Sequence, residues 1–104
     1  MILVQFDFPY PGPWGREMAD AAGDLAADIA AEPGLRWKIW TEAPEEGRAG
    51  GIYLFENRHT AEAYHEKHAA RLEAMGITDI RALVLEVNTG LSAVTRAPLG
   101  APET

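Results

Sequence analysis

The stretch from Leu35 to Phe55, LRWKIWTEAPEEGRAGGIYLF, constrains this chain more than any other. Two apolar runs flank a short charged loop and hold two of the three tryptophans and one of the three tyrosines, a pattern that reads as a β-hairpin. Along the first run Leu35, Trp37 and Ile39 alternate with Arg36, Lys38 and Trp40, so the two indoles are expected on opposite faces of the strand. The loop Ala43 to Ala49 carries Pro44, Glu45, Glu46 and Gly47, which suits an exposed turn longer than the two-residue type. Gly50 and Gly51 open the returning strand and mark a bulge or the close approach of another backbone or a ligand. Beyond them Ile52 and Leu54 face one way, Tyr53 and Phe55 the other. A hairpin this aromatic needs cover on both sides, and an isolated hairpin is marginal in water.

The flanking segments are built to supply that cover. Residues Ile2 to Phe8 form a strand with Ile2, Val4, Phe6 and Phe8 on one face, and the proline- and glycine-rich PYPGPWG at 9–15 ends it. From Trp14 to about Ala31, Met18, Ala22, Leu25 and Ile29 trace one helical stripe, with Asp20, Asp24 and Asp28 as a solvated face beside it. Pro33 and Gly34 stop this helix. A second helix runs from Thr60, taken as its N-cap, to Met75, with Ala61, Tyr64, His68, Leu72 and Met75 as its apolar stripe and Gly76 as its close. The last strand, Ile77 to Asn88, puts Ile80, Ala82 and Val84 on one face and Leu83, Leu85 and Val87 on the other. From Thr89 a tail follows, with a weak apolar pattern at Leu91 and Val94 and a loop-like end, APLGAPET.

The order β, α, β, β, α, β predicts one ferredoxin-like α+β domain over residues 1–104: a four-stranded antiparallel sheet with two helices on a single face. Two helices cover only one face, yet the last strand and the hairpin are apolar on both. A second copy of the chain, packed sheet to sheet about a two-fold axis, is the expected cover, so a homodimer is predicted.

Composition narrows the function classes. The 9 Lys+Arg stand against 16 Asp+Glu, a formal charge of −7, which opposes approach to nucleic acid or an anionic membrane. The absence of cysteine removes thiolate catalysis, thiolate metal sites and disulfides, and fits a reducing compartment. The N-terminus MILVQFDF has no basic n-region or cleavage site, and no apolar run approaches the ~18 residues that span a bilayer. A cytoplasmic protein without nucleic-acid or membrane partners is expected.

GPWG at 12–15, EPGLRWKIWTE at 32–42, AGGIYLF at 49–55 and AYHEKHAARL in the second helix together resemble the YdhR-like mono-oxygenase family, of the dimeric α+β barrel superfamily. The resemblance covers the chain to about Asn88 and implies a ferredoxin-like protomer that dimerises through its sheet. It also implies oxidation of a small aromatic or polycyclic substrate by dioxygen with no metal or flavin cofactor, in an apolar pocket with a few polar groups. Some relatives anchor substrate or oxygen with a strand asparagine. This chain does not match that position, since Asn57 falls after a strand and Asn88 at the end of one.

Within that frame His68 is the candidate proton acceptor, weighed against a core histidine bonded to a neighbour. His65 and His59 fall off the inward stripe. Tyr53 and Trp40, on adjacent strands, are catalytic candidates whose O–H and N–H could orient substrate or reduced oxygen. Trp37, Tyr64 and Phe6 are candidate pocket walls, Trp37 only if its face meets the helices. Arg81, costly to bury unpaired, is a candidate for an anionic substrate or for a salt bridge across the dimer. Two alternatives accompany the oxygenase: a non-catalytic dimer binding a small aromatic ligand, and a haem-binding or haem-degrading protein using His68.

Overall fold

The structure, a computed structural model, describes residues 1–100. The last four residues of the tail lie outside the described part. The elements run β1 (Ile2–Pro9), α1 (Gly15–Ala21), α2 (Gly23–Ala30), β2 (Leu35–Ala43), β3 (Arg48–Phe55), α3 (Arg58–Ala74), β4 (Arg81–Glu86) and α4 (Thr89–Val94). The four strands lie in the order β2-β3-β1-β4 and every neighbouring pair is antiparallel, as the ferredoxin-like expectation requires.

The alternation read in β1 is the axis of the core. Its odd-numbered residues are half-buried, while Ile2, Val4, Phe6 and Phe8 face the helices and are buried. Opposite Val4 stand Tyr53 on β3 and Val84 on β4, so the same face continues across the sheet. Ala61, Tyr64, His68 and Leu72 of α3 and Ile29 of α2 close over it. At roughly 25 cal/mol per Å² of apolar surface removed from water, this layer is the main source of the fold's stability.

Several boundaries differ from the sequence reading for identifiable reasons. The first helix is two: at Ala22 the backbone leaves helical geometry (φ −101°, ψ 10°), and Gly23, a weak helix former, follows the bend. The N-cap of α3 is Asn57, whose side chain accepts the Thr60 N–H at 2.9 Å, rather than Thr60 itself. Met75 lies past the end of α3 and is 60% exposed, because Gly76 turns left-handed (φ 84°) and Ile77 N–H closes onto the Leu72 carbonyl. The last strand begins only at Arg81, since Asp79 is in the left-handed region (φ 51°) and pairing with β1 starts at Asp7. The weak pattern at Leu91 and Val94 is a short helix, capped by Asn88.

The hairpin closes through a 3-10 turn at Pro44–Glu46 and a left-handed Gly47, whose carbonyl accepts the Tyr10 N–H at 2.8 Å. A register shift between Leu35 and Trp37 pairs Leu35 with Phe55 and Lys38 with Tyr53. Leu35 therefore joins the helix-side face with Lys38 and Trp40 instead of sharing a face with Trp37. Trp37, Ile39, Leu83 and Leu85 lie on the other face, where Ile39 is 51% and Leu83 54% exposed. Leu54 shares that face but is fully buried. The Trp37 indole donates to the Pro98 carbonyl, so the segment after α4 reaches β2.

Candidate active site

Between the helix-side face of the sheet and the helices lies a cavity of about 80 Å³. Alternation places Phe8 of β1, Lys38 and Trp40 of β2 and Tyr53 of β3 in its floor. His68 enters from the inward stripe of α3 and Met18 from α1. The Tyr10 hydroxyl donates to the Met18 sulfur at 3.2 Å, which ties the lip of the cavity to the end of β1. The paired glycines acquire separate reasons here. A Cβ on Gly50 would stand 2.0 Å from the Phe6 carbonyl oxygen, so β1 approaches too closely for any side chain. A Cβ on Gly51 would stand 2.7 Å from Lys38 Cε, so Gly51 leaves room for the lysine stem.

His68 is held by an aromatic shell and one guanidinium. Its ring stacks on Tyr64 (5.1 Å between centroids) and meets Phe6 edge-on (5.0 Å). Arg71 Nε and Nη2 lie 3.2 and 3.0 Å from His68 Nδ1, and Arg71 also bonds Asp28 at 2.8 Å. A guanidinium only donates, so Nδ1 is the acceptor and the ring proton of neutral His68 is assigned to Nε2. Burial, with the charges of Lys38 and Arg71, pushes the His68 pKa down to about 3. The imidazole is therefore neutral near pH 7 and its acceptor nitrogen is engaged, which leaves it a donor rather than the proton acceptor expected.

Lys38 is the group that sequence reasoning missed. Its Nζ sits 3.2 Å from the centroid of a Trp40 ring and 4.7 Å from that of Tyr53. Burial, and then the Arg71 charge, push its pKa down to about 7. Burial raises the Tyr53 hydroxyl well above the ordinary phenol range, so it stays protonated. Tyr64 is raised likewise by burial, while the neighbouring Tyr53 hydroxyl and Arg71 pull it down, and among the described residues its buried hydroxyl makes no hydrogen bond of full geometry. The available signal for Lys38 was parity: it lies two residues from Trp40 on one strand and so shares its face.

The structure brings together five of the seven candidates. His68, Tyr53 and Trp40 line the cavity, while Phe6 and Tyr64 pack directly behind them. Trp37 and Arg81 are on the opposite face of the sheet. Arg81 bonds Asp7 of its own chain, which also accepts from Arg48 at 2.7 Å, so the expected salt bridge across a dimer has its partner within the protomer. A wider depression of about 290 Å³ lies on that side, where these ions satisfy one another. A haem does not fit the helix-side site, because ligands of that size need several hundred Å³ and His68, with Nδ1 accepting from Arg71, carries its proton on Nε2 and has no lone pair free there. Among the described residues no cluster of three His, Cys, Asp or Glu could hold a metal ion, and no helix is long and apolar enough to cross a membrane.

Known structures share this architecture. A crystal structure described as a putative antibiotic biosynthesis monooxygenase from Deinococcus radiodurans superposes with a TM-score of 0.57 at 15% identity, over 85% of this chain and 93% of that one. A mutant of SnoaB, a cofactor-independent oxygenase from Streptomyces nogalater, gives a TM-score of 0.59 at 13% identity, over 84% and 92%. At such identities the likeness is one of fold. No curated protein matches the chain. Residues 3–98 match the family described as "Putative mono-oxygenase ydhR", which takes in the four strands except Ile2 and the whole cavity lining. The chain belongs to that ydhR mono-oxygenase family.

Proposed function

We propose that the protein oxidises a small, electron-rich phenol with dioxygen in the helix-side cavity, without metal or flavin. The observation that carries this reading is the largely apolar cavity walled by Phe8, Trp40, Tyr53 and His68, which opens to solvent past the part-exposed Trp40 and Met75. A groove of about 350 Å³ beside α1 shares Met18, Trp40 and Glu42 with the cavity, so a fused-ring substrate requires those side chains to swing aside. The reaction balances with dioxygen alone. The phenolate delivers electrons from a ring carbon to O2, forming a C–O bond and a peroxide, which is then protonated. Loss of the proton on that carbon with cleavage of the O–O bond gives a quinone and water. One oxygen atom enters the product and the other leaves as water, and the substrate is the only reductant.

Protonated Tyr53 and neutral His68 serve as hydrogen-bond donors to the developing oxyanions, and Trp40 stacks on the ring. Oxygen uptake with a panel of phenols and anthrones tests the reading. One O2 consumed per substrate is expected, with uptake falling roughly 10²-fold for a lost oxyanion donor in Tyr53→Phe and His68→Ala, and a smaller drop in Trp40→Phe. Binding of aromatic ligands with no uptake across the panel would leave a ligand-binding dimer instead.

The same reading includes a homodimer formed through the uncovered face, where Ile39, Leu83 and Leu85 expose apolar surface. Light scattering at micromolar concentration should give twice the protomer mass, and Ile39→Asp with Leu83→Asp should halve it. A monomeric wild type ends that part of the proposal.

A further inference from the structure

The cavity holds several polar groups, and nearly all of them are committed. His68 Nδ1 accepts from Arg71. The Tyr10 hydroxyl is spent on Met18. Both oxygens of Glu42 face the Gly15 N–H at 3.2 and 3.0 Å. Tyr53 is protonated and donates, and the Trp40 N–H has no lone pair to offer. The Lys38 amine stands apart as the basic nitrogen of the lining without such a bond among the described residues. Among the described residues no carboxylate lies within 4.0 Å of its Nζ, although seven other ion pairs form across the protein. A lysine half-buried without a counter-charge is costly, and most lysines avoid it by reaching solvent. This one is instead led inward over Gly51 and held against two aromatic rings.

We propose that Lys38 is the catalytic base of this pocket and that the site selects an acidic phenol, which it ionises on binding. The inference rests on the oxygenase reading for its reaction but not for its proton transfer. The neutral amine takes the phenolic proton: the O–H bond breaks, an N–H bond forms, and the electron pair stays on oxygen as phenolate. The resulting ammonium is held over the Trp40 face by cation–π attraction and pairs with the phenolate that it lacked as a counter-ion. Once O2 has added to the ring, the same ammonium returns its proton to the peroxide oxygen, and the amine is restored. The groups that face Lys38 agree with this cycle. Arg71 and His68 on α3 and Tyr53 on β3 are cationic or neutral and favour the free amine, Glu42 on β2 is tied to Gly15, and α1 and α2 contribute uncharged Met18 and Leu25.

The test separates the two proposals. 4-Nitrophenol is titrated with the protein anaerobically, at a pH where the free probe is mostly neutral, and the phenolate absorption band is read. Wild type should bind it as phenolate. Lys38→Met should bind it as the neutral phenol, with the bound phenolate fraction at least tenfold lower and the fold intact by circular dichroism. Lys38→Arg keeps a charge but has no lone pair, so with a phenol that supports oxygen uptake its pH profile should lose the lysine's titration and follow the ionisation of the phenol alone. The assignment is overturned if Lys38→Met gives the wild-type band, if wild type binds only the neutral form, or if wild type does not bind the probe. A band that depends on Lys38, with no oxygen uptake in air, supports the base and overturns the oxygenase alone.

Discussion

The two faces of the sheet are made by the same strands and differ in how they treat polar groups. On the face away from the helices, Asp7 is flanked by Arg48 and Arg81, each bonded to it, and Ile39, Leu83 and Leu85 lie exposed beside them. On the helix side, among the described residues, Lys38 has no counter-ion and the Tyr64 hydroxyl no hydrogen bond of full geometry, although both sit among aromatic rings. Burial normally demands that polar groups be satisfied. A face that leaves two of them unsatisfied beside a cavity carries a stability cost for which packing gives no reason, and reactivity gives one. The ions on the outer face are stabilising but inert; the groups on the inner face are destabilising and available.

The adjacent glycines are the sharpest way to break that contrast. Gly50→Ala drives a methyl group into the Phe6 carbonyl oxygen, a backbone atom that cannot move without shifting β1. A loss of about 3 kcal/mol is expected, seen as a lower urea midpoint. Gly51→Ala meets Lys38 Cε, the outer part of a flexible stem, and crowds the Tyr53 ring at 3.1 Å, so the loss of stability should be smaller than for Gly50→Ala while Lys38 is displaced and oxygen uptake falls. Equal losses of stability in both variants would remove the distinction between a structural and a functional glycine.

Lys38→Met comes next and has the opposite sign. An apolar side chain of similar length should stabilise the fold by about 1–2 kcal/mol below pH 7. The folded pKa of Lys38 is lowered to about 7 from an unfolded value of 10.5. Between those values the unfolded chain holds a proton that the folded one has released, so wild-type stability rises with pH across that window. Below pH 7 the cost is present in full. The advantage of Lys38→Met should therefore shrink from pH 7 towards 10, which urea midpoints at pH 6, 8 and 10 would show. A constant advantage would mean that Lys38 titrates normally.

Alternation carried most of the fold. The 2-residue period of β1 and the inward stripe Ala61, Tyr64, His68 and Leu72 each reappear as buried rows, because a period fixes a face regardless of tertiary detail. What alternation does not contain is a register shift. The irregularity between Leu35 and Trp37 moved Leu35 to the helix side, and only the paired strand determines such a shift. The site was legible where bulk and position coincided, as for His68, Tyr53 and Trp40. It was hidden at Lys38, because a lysine between two tryptophans looks like the solvated half of an alternating strand, and only Gly51 and the rings of Trp40 and Tyr53 turn it inward. Arg81 and Trp37 lie on the outer face, and which face meets the helices depends on the packing of α3, not on the strands alone.

Tyr64→Phe probes the inner face with a smaller change. Among the described residues the hydroxyl is buried without a hydrogen bond of full geometry, and removing it leaves the ring tilted against Phe55 and stacked on His68. A gain of about 1 kcal/mol is expected, from the desolvation cost no longer borne. A loss would show that the hydroxyl is bonded in solution, to Tyr53 or to water, and would bring this group into line with the paired ions outside.

Asp7→Asn is the outer-face counterpart, with the smallest effect and the reverse sign. Burial pulls the Asp7 carboxyl upward, but the bonds from Arg48 and Arg81 outweigh it and hold the carboxyl below its ordinary 3.8. A carboxylate lowered in the folded state contributes stability above its unfolded pKa and loses it as pH falls through the folded value. Asp7→Asn should thus cost less than about 1 kcal/mol at pH 7, in the range of partly exposed ion pairs, and nothing once the pH is below both values. Protein concentration then connects this result to the dimer. Asp7 lies on the face proposed as the seam, so in a dimer the cost should grow as the protein is concentrated, whereas in a monomer it stays constant.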